Sequence, residues 1–182
     1  MNQKKLWLTL ARILALVAVI GISIFVFSIR DRADEFAVYG YPGIFVIAFL
    51  ANATVLLPAP GIAVVFAMGA VFNPLLVGLV AGTGGALGEI SGYLAGFSGQ
   101  AVIEQIDIYD RMVKWMSRNG NLTVLLLAAI PNPFFDLTGI AAGALKMPIL
   151  RFLFWCLIGV IFKMTLFALL GSASLTNFRF LE

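Results

Sequence analysis

The hydrophobic pattern is dominated by an absence of charge. Positions 36–88 contain no Asp, Glu, Lys or Arg. A single helix of that length would rise roughly 80 Å against a hydrocarbon layer of about 30 Å, so the segment has to fold back. Pro58, Pro60 and Gly61 in LLPAPG (56–61) supply the break, because proline removes a backbone donor and clashes with the preceding turn. Upstream, residues 6–29 are apolar apart from Arg12, which stands near the start of the run and can snorkel. They predict an N-terminal transmembrane helix. A signal peptide is the competing reading, but the run is long for one and no small-x-small site precedes RDRADE (30–35).

The pattern then changes twice. Residues 78–100 carry Gly78, Gly82, Gly85, Gly88, Gly92, Gly96 and Gly99, a three-to-four spacing that predicts a transmembrane helix with one small-residue face for close packing. Residues 101–118 place Val102, Ile106, Tyr109, Val113 and Met116 on one stripe and their charges opposite, which predicts an amphipathic helix at the membrane surface, closed by NGN (119–121). Residues 122–147 are apolar again but interrupted by Pro131, Pro133, Asp136 and Lys146. Residues 148–172 read as a last transmembrane helix with Lys163 near its centre.

Composition agrees. The chain has 182 residues, 62% hydrophobic and 12% charged, where soluble domains run about 45–50% and about 25%. This is one integral membrane domain. The net charge of +3 speaks for orientation and anionic headgroups rather than nucleic acid. The chain has no histidine and a single cysteine, Cys156 in LFWCLIG. That excludes a Ser-His-Asp triad, a His-based zinc site and an internal disulfide. With no Walker or GxSxG motif either, the expectation is a protein that is not an enzyme, with no cofactor and no metal.

The chain also resembles itself. TVLLPAPGIAVVFAMGAVFNP (54–74) and TVLLLAAIPNPFFDLTGIAAGALKMP (123–148) share TVLL, P-x-P, an apolar segment and G-A-x-x-x-P. Pro58, Pro60 and Gly69 in the first match Pro131, Pro133 and Gly143 in the second. If each unit enters and leaves on one side, the single crossing between them turns the second upside down. Lys4, Lys5, Arg12, Arg111, Lys114, Arg118, Lys146 and Arg151 then fall on the cytoplasmic side, against Arg30, Arg32 and Arg179 outside. The predicted fold is an all-α polytopic membrane protein with two inverted repeats. Each repeat is a re-entrant helical hairpin (36–77 and 122–147) plus a transmembrane helix. The N-terminus is cytoplasmic and the membrane is expected to be the plasma membrane.

Irregular backbone at membrane depth is tolerated where it lines a cavity, and intramembrane charges mark functional sites by default. Glu89, Asp136 and Lys163 are therefore the expected transport and proton-coupling groups, with Lys163 pairing one of the two acids. Two acids and one base leave a deficit that a proton or cation would balance. Asn132 and Pro133 read as cap and first position of a helix whose first turn holds Asp136. Asn132, Tyr93, Lys146 and Arg151 are the expected substrate-binding residues. The competing reading is a proline kink with Asp136 bridged to Lys163 for packing, and the glycine face is equally explained by packing alone.

At GALGEISGYLAGFSG (85–99), IPNPFFDLTGIAAGALKMPILRF (130–152) and GVIFKMTLFALLG (159–171) the sequence resembles the DedA / VTT-domain family, also called SNARE-associated Golgi proteins, over about residues 40–172. The resemblance implies two re-entrant hairpins facing each other. It also implies a scramblase or flippase of phospholipid or of a polyprenyl-phosphate carrier, with proton coupling open. Glu89 matches the family's acidic position before its tyrosine. PAPGIAV lacks the glutamate many members carry after the first proline, and the second hairpin has Asp136 where many members have arginines. The expected partners are membrane lipids with anionic headgroups, and protons; homo-oligomerisation stays open. A small-solute or ion transporter, or a membrane scaffold or assembly factor without transport, remains as an alternative.

Overall fold

The protein is described from a computed structural model, which covers residues 33–53, 61–98, 107–132 and 135–179. The N-terminal span expected at 6–29, the first half of the polar connector at 30–35, and Pro58, Pro60 and Pro133 lie outside these residues. All described elements are helical: α1 (Ala33–Ala53), α2 (Gly61–Val71), α3 (Pro74–Gly88), α4 (Ile90–Phe97), α5 (Asp107–Ala129), α6 (Phe135–Ala144) and α7 (Ile149–Arg179).

Two stretches, Pro74–Phe97 and Ile149–Ser174, are long and apolar enough to cross a membrane. The first comprises α3 and α4 joined through Glu89, whose φ of −63° and ψ of −14° keep it helical. Its N–H donates to Gly85 O at 3.2 Å, and its carbonyl accepts from Tyr93 N–H at 3.1 Å. By contrast α2 and α6 have 11 and 10 residues, a rise of about 15–16 Å, or half the hydrocarbon thickness. Large apolar side chains on α3 and α7, including Leu75, Leu79, Leu150, Phe154 and Phe162, are exposed, the outward face a helix bundle presents to acyl chains.

Local chemistry sets the boundaries. Asn73 Oδ1 accepts from the N–H groups of Leu75 at 3.0 Å and Leu76 at 3.3 Å, and Pro74 occupies the first turn. The helix therefore starts at Pro74 rather than at Gly78. At NGN (119–121) the chain kinks instead of stopping. Asn119 leaves helical geometry (φ −142°, ψ 63°), and helix α5 resumes beyond it. The surface helix and the first arm of the second hairpin are thus one bent element. Its apolar stripe continues inward through Met112, Met116, Val124 and Ala128, all buried.

The glycines do not share one face, as their spacing suggested; they serve three neighbours. Gly78 lies against Thr165, Gly82 against Ile161 and Gly85 beside Val160, so α3 and α7 run antiparallel. Gly84 and Gly88 meet the Phe45 and Phe49 backbone of α1, which runs parallel to α3. Gly92 and Gly96 face Asp136 and Ile140 of α6. Without side chains in the way, backbones approach to contact, the packing mode available where lipid leaves no hydrophobic drive between helices.

Two crossings mirror each other. Where α2 meets α7, Gly69 lies on the Ala168 backbone and Gly171 on that of Phe66. Where α6 meets α4, Gly143 lies on the Tyr93 backbone and Gly96 on that of Ile140. Every residue of one crossing recurs 74 or 75 positions away in the other. The short helix of each half thus packs on the long helix of the other half in the same register.

An added Cβ at Gly96 or Gly171 meets backbone, which cannot swing aside, whereas Gly43 has open space. Gly96→Ala and Gly171→Ala should each destabilise the protein by about 1–3 kcal/mol, and Gly43→Ala should be neutral or stabilising by about 0.5–1 kcal/mol. Thermal unfolding in detergent measures both.

Candidate functional site: a buried charged centre

The deepest ionisable groups meet where the α3–α4 joint faces α6 and the middle of α7. Glu89 is 2% exposed. Its carboxylate lies against Gly139 of α6, where a Cβ would stand 3.6 Å from Oε2. Its Oε1 is buried without a hydrogen-bond partner. Burying a carboxylate oxygen unpaired is costly, and such groups call for an explanation.

Lys163 is 6% exposed. Its Nζ sits 4.8 Å from the centroid of the Phe135 ring, a cation–π contact. Asp136 follows Phe135 in the first turn of α6, as the sequence predicted, and is half-buried. The three charges lie within electrostatic reach of one another. Among the described residues, however, Lys163 closes no direct ion pair with either acid. This differs from the expected pairing and from the simple packing bridge, because the ammonium rests on the aromatic face. Glu89 follows Pro74, and Lys163 follows Pro148, by the same 15 residues. Counted from those prolines the acid and the base share a place; in the register of the crossings, 75 residues apart on the long helices, Glu89 matches Met164, the neighbour of Lys163. Cys156 is a free, fully buried thiol on α7.

The expected binding residues are divided. Tyr93 is buried. Its hydroxyl donates to Met147 O at 2.6 Å, and its ring stacks on Phe152 at 5.3 Å and Phe97 at 6.1 Å. It ties the first spanning helix to the end of the second hairpin. Asn132 closes the preceding helix with its amide nitrogen. Its Nδ2 donates backward to Leu127 O at 2.7 Å and Ile130 O at 2.8 Å, closing carbonyls that the break at exposed Pro131 leaves at the end of α5. Helix α6 is described from Phe135 onward, and Pro133, its expected first position, lies outside the described residues. Lys146 and Arg151 are exposed and stand apart from the buried centre, beside a groove of about 400 Å³. Ser117 and Asn121 also line that groove and were not singled out from the sequence. Only the kink at Asn119, unreadable from periodicity, turns them toward the second hairpin. Gly69 and Gly143 sit at the two mirrored crossings.

Comparison with known proteins supports the resemblance. The VTT domain model matches residues 57–173. The vacuole membrane protein KMS1 of Arabidopsis thaliana is 34% identical over 100 residues, an alignment covering 43% of this chain and 24% of that relative. No solved structure matches the chain.

Tyr93→Phe removes the donor to Met147 O but keeps the stacked ring. It should lower stability by about 1 kcal/mol, whereas Tyr93→Ala should cost about 3–5 kcal/mol. Thermal melts of the two variants separate the hydrogen bond from the packing.

Proposed function

The chain belongs to the VTT-domain family of integral membrane proteins, and from that premise we propose that it carries a lipid with an anionic headgroup between the two leaflets. The single observation that carries the reading is Glu89 Oε1, a buried carboxylate oxygen without a partner beside Asp136 and Lys163. A packing role would select apolar or fully satisfied groups there. A group that must take up and release a proton, or a passing headgroup, keeps an open valence.

The mirrored crossings support an inverted architecture. The long helices that would exchange, α3 and α7, run antiparallel, so a two-fold axis relating them lies across the helices, in the plane of the membrane. Helices α2 and α6 then descend only to mid-depth, one from each face, as re-entrant hairpins. The cations Arg111, Lys114, Arg118, Lys146 and Arg151 orient the second hairpin and the bent α5 to the cytoplasm, with the N-terminus on that side of the plasma membrane. The cargo class is a phospholipid or a polyprenyl-phosphate carrier, moved without covalent chemistry. Two acids against one base leave one negative charge for a proton to offset, which is the basis for coupling.

In proteoliposomes, the purified chain should raise lipid scrambling above protein-free vesicles. Glu89→Gln, Asp136→Asn and Lys163→Met should each slow it about tenfold or more, a barrier change of about 1.4 kcal/mol. Unaltered rates in all three variants would remove these residues from the mechanism, and no activity in the parent protein would favour a scaffold or a solute transporter. Cysteine labelling in a Cys156→Ala background tests the topology. Asn73→Cys should react with an impermeant maleimide from outside, and Met147→Cys only from the cytoplasmic face.

A further inference from the structure

The two halves end their hairpins with GAVFNP (69–74) and GALKMP (143–148). Phe72 and Lys146 therefore hold the same place, three residues past the crossing glycine and two before the proline that opens the long helix. What they do there differs. Phe72 is buried. Its ring fills the space between the hairpin end and α1, resting on Gly40, where a Cβ would come within 2.8 Å, and lying 5.6 Å from the ring of Tyr41. In the second half the corresponding space, between the end of α6 and the bent α5, is an open groove of about 400 Å³. Lys146 and Arg151 line it on one side, with Ser117 and Asn121 on the other. No acidic residue lines it, and among the described residues neither cation has an ion-pair partner.

Two details set this groove apart from an ordinary basic surface. Lys146 adopts a φ of 54°. It closes α6 through hydrogen bonds from Lys146 N–H to Gly143 O at 2.9 Å and from Met147 N–H to Ala142 O at 3.0 Å. Glycine is the usual residue at this left-handed position, and a side chain there costs about 1 kcal/mol. A cation is held against that preference. The next position differs as well. Asn73 caps the first N–H groups of α3, whereas its counterpart Met147 offers only a thioether. The first turn of α7 carries no acid either, so no carboxylate there competes for the two cations.

We infer that this groove is an anion site for a phosphate-ester group, open at one face of the membrane only, and that Phe72 stops up its counterpart at the other face. The ammonium and the planar guanidinium supply charge-assisted donors to one tetrahedral anion, and the hydroxyl of Ser117 and the amide of Asn121 add neutral ones. A lipid headgroup and a free phosphate share this chemistry. The sidedness rests on the inverted arrangement proposed above, while the anion site rests on the groove alone.

Isothermal titration of the full chain in neutral detergent tests it. The probes are dihexanoyl phosphatidic acid, dihexanoyl phosphatidylcholine and inorganic phosphate. Phosphatidic acid should bind with a stoichiometry of one per chain, and phosphatidylcholine at least about tenfold more weakly. Lys146→Gly and Arg151→Gln should each weaken phosphatidic acid about tenfold, while the surface variant Arg111→Gln changes it less than about threefold. Lys146→Gly relieves the left-handed backbone and should melt no lower than the parent, so its loss of binding cannot come from misfolding. Competition by inorganic phosphate at equal concentration identifies a free-anion site; no competition identifies the headgroup. Equal binding of both lipids, or affinities untouched by the two groove variants, overturns the site. Two equivalent sites per chain overturn the plug at Phe72. Binding that persists in a protein without scrambling activity leaves the groove standing and rejects only the transport reading.

Discussion

Backbone-to-backbone contact at glycine is the constraint on which the rest of this molecule depends. In lipid, apolar side chains gain nothing by leaving acyl chains for one another, so cohesion comes from close packing. Gly69 on Ala168, Gly171 on Phe66, Gly143 on Tyr93 and Gly96 on Ile140 bring helices together with no side chain between them. These contacts hold each short helix against the long helix of the opposite half. Near Glu89 the contact is looser, since a Cβ at Gly139 or Gly92 would meet its neighbours at 3.4 Å or more.

The charged centre is built from a break in symmetry. Glu89 and Lys163 stand within one residue of each other in the repeat, yet one is an acid and the other a base. Asp136 stands where the first half has Ile62, counted back by the same 74 residues. The ends of the hairpins differ likewise, with Phe72 packed and Lys146 free to reach the groove. The scaffold repeats, while the polar residues that decorate it do not. A duplicated frame supplies the geometry, and the differences between its halves supply direction.

Much of this was legible in the sequence, for physical reasons that also mark where the reading stops. The uncharged stretch through PAPG had to fold back, because no bilayer is thick enough for it. Pro131 located the break after α5, while Pro58, Pro60 and Pro133 lie outside the described residues. Glu89, Asp136 and Lys163 stood out because charge in apolar sequence is expensive. Spacing alone could not say which helix each glycine meets, since α3–α4 touches three partners on three sides. It also could not foresee Asn132 turning back to close α5, or Asn119 bending a helix where turn residues suggested an end. Those outcomes depend on which carbonyls lack donors once the tertiary packing is set. The equivalence of Glu89 with Lys163, and of Phe72 with Lys146, was available to a register count from the two prolines.

That equivalence has an electrical side. Suppose the halves exchange conformations about the two-fold axis proposed above. Glu89 and Lys163 then shift toward opposite faces of the membrane. Because their charges are also opposite whenever Glu89 is ionised, the two displacements add instead of cancelling. Moving one elementary charge through a 100 mV difference is worth about 2.3 kcal/mol, so any part of that distance covered by the two charges would make the balance between the exchanged forms depend on the voltage across the membrane.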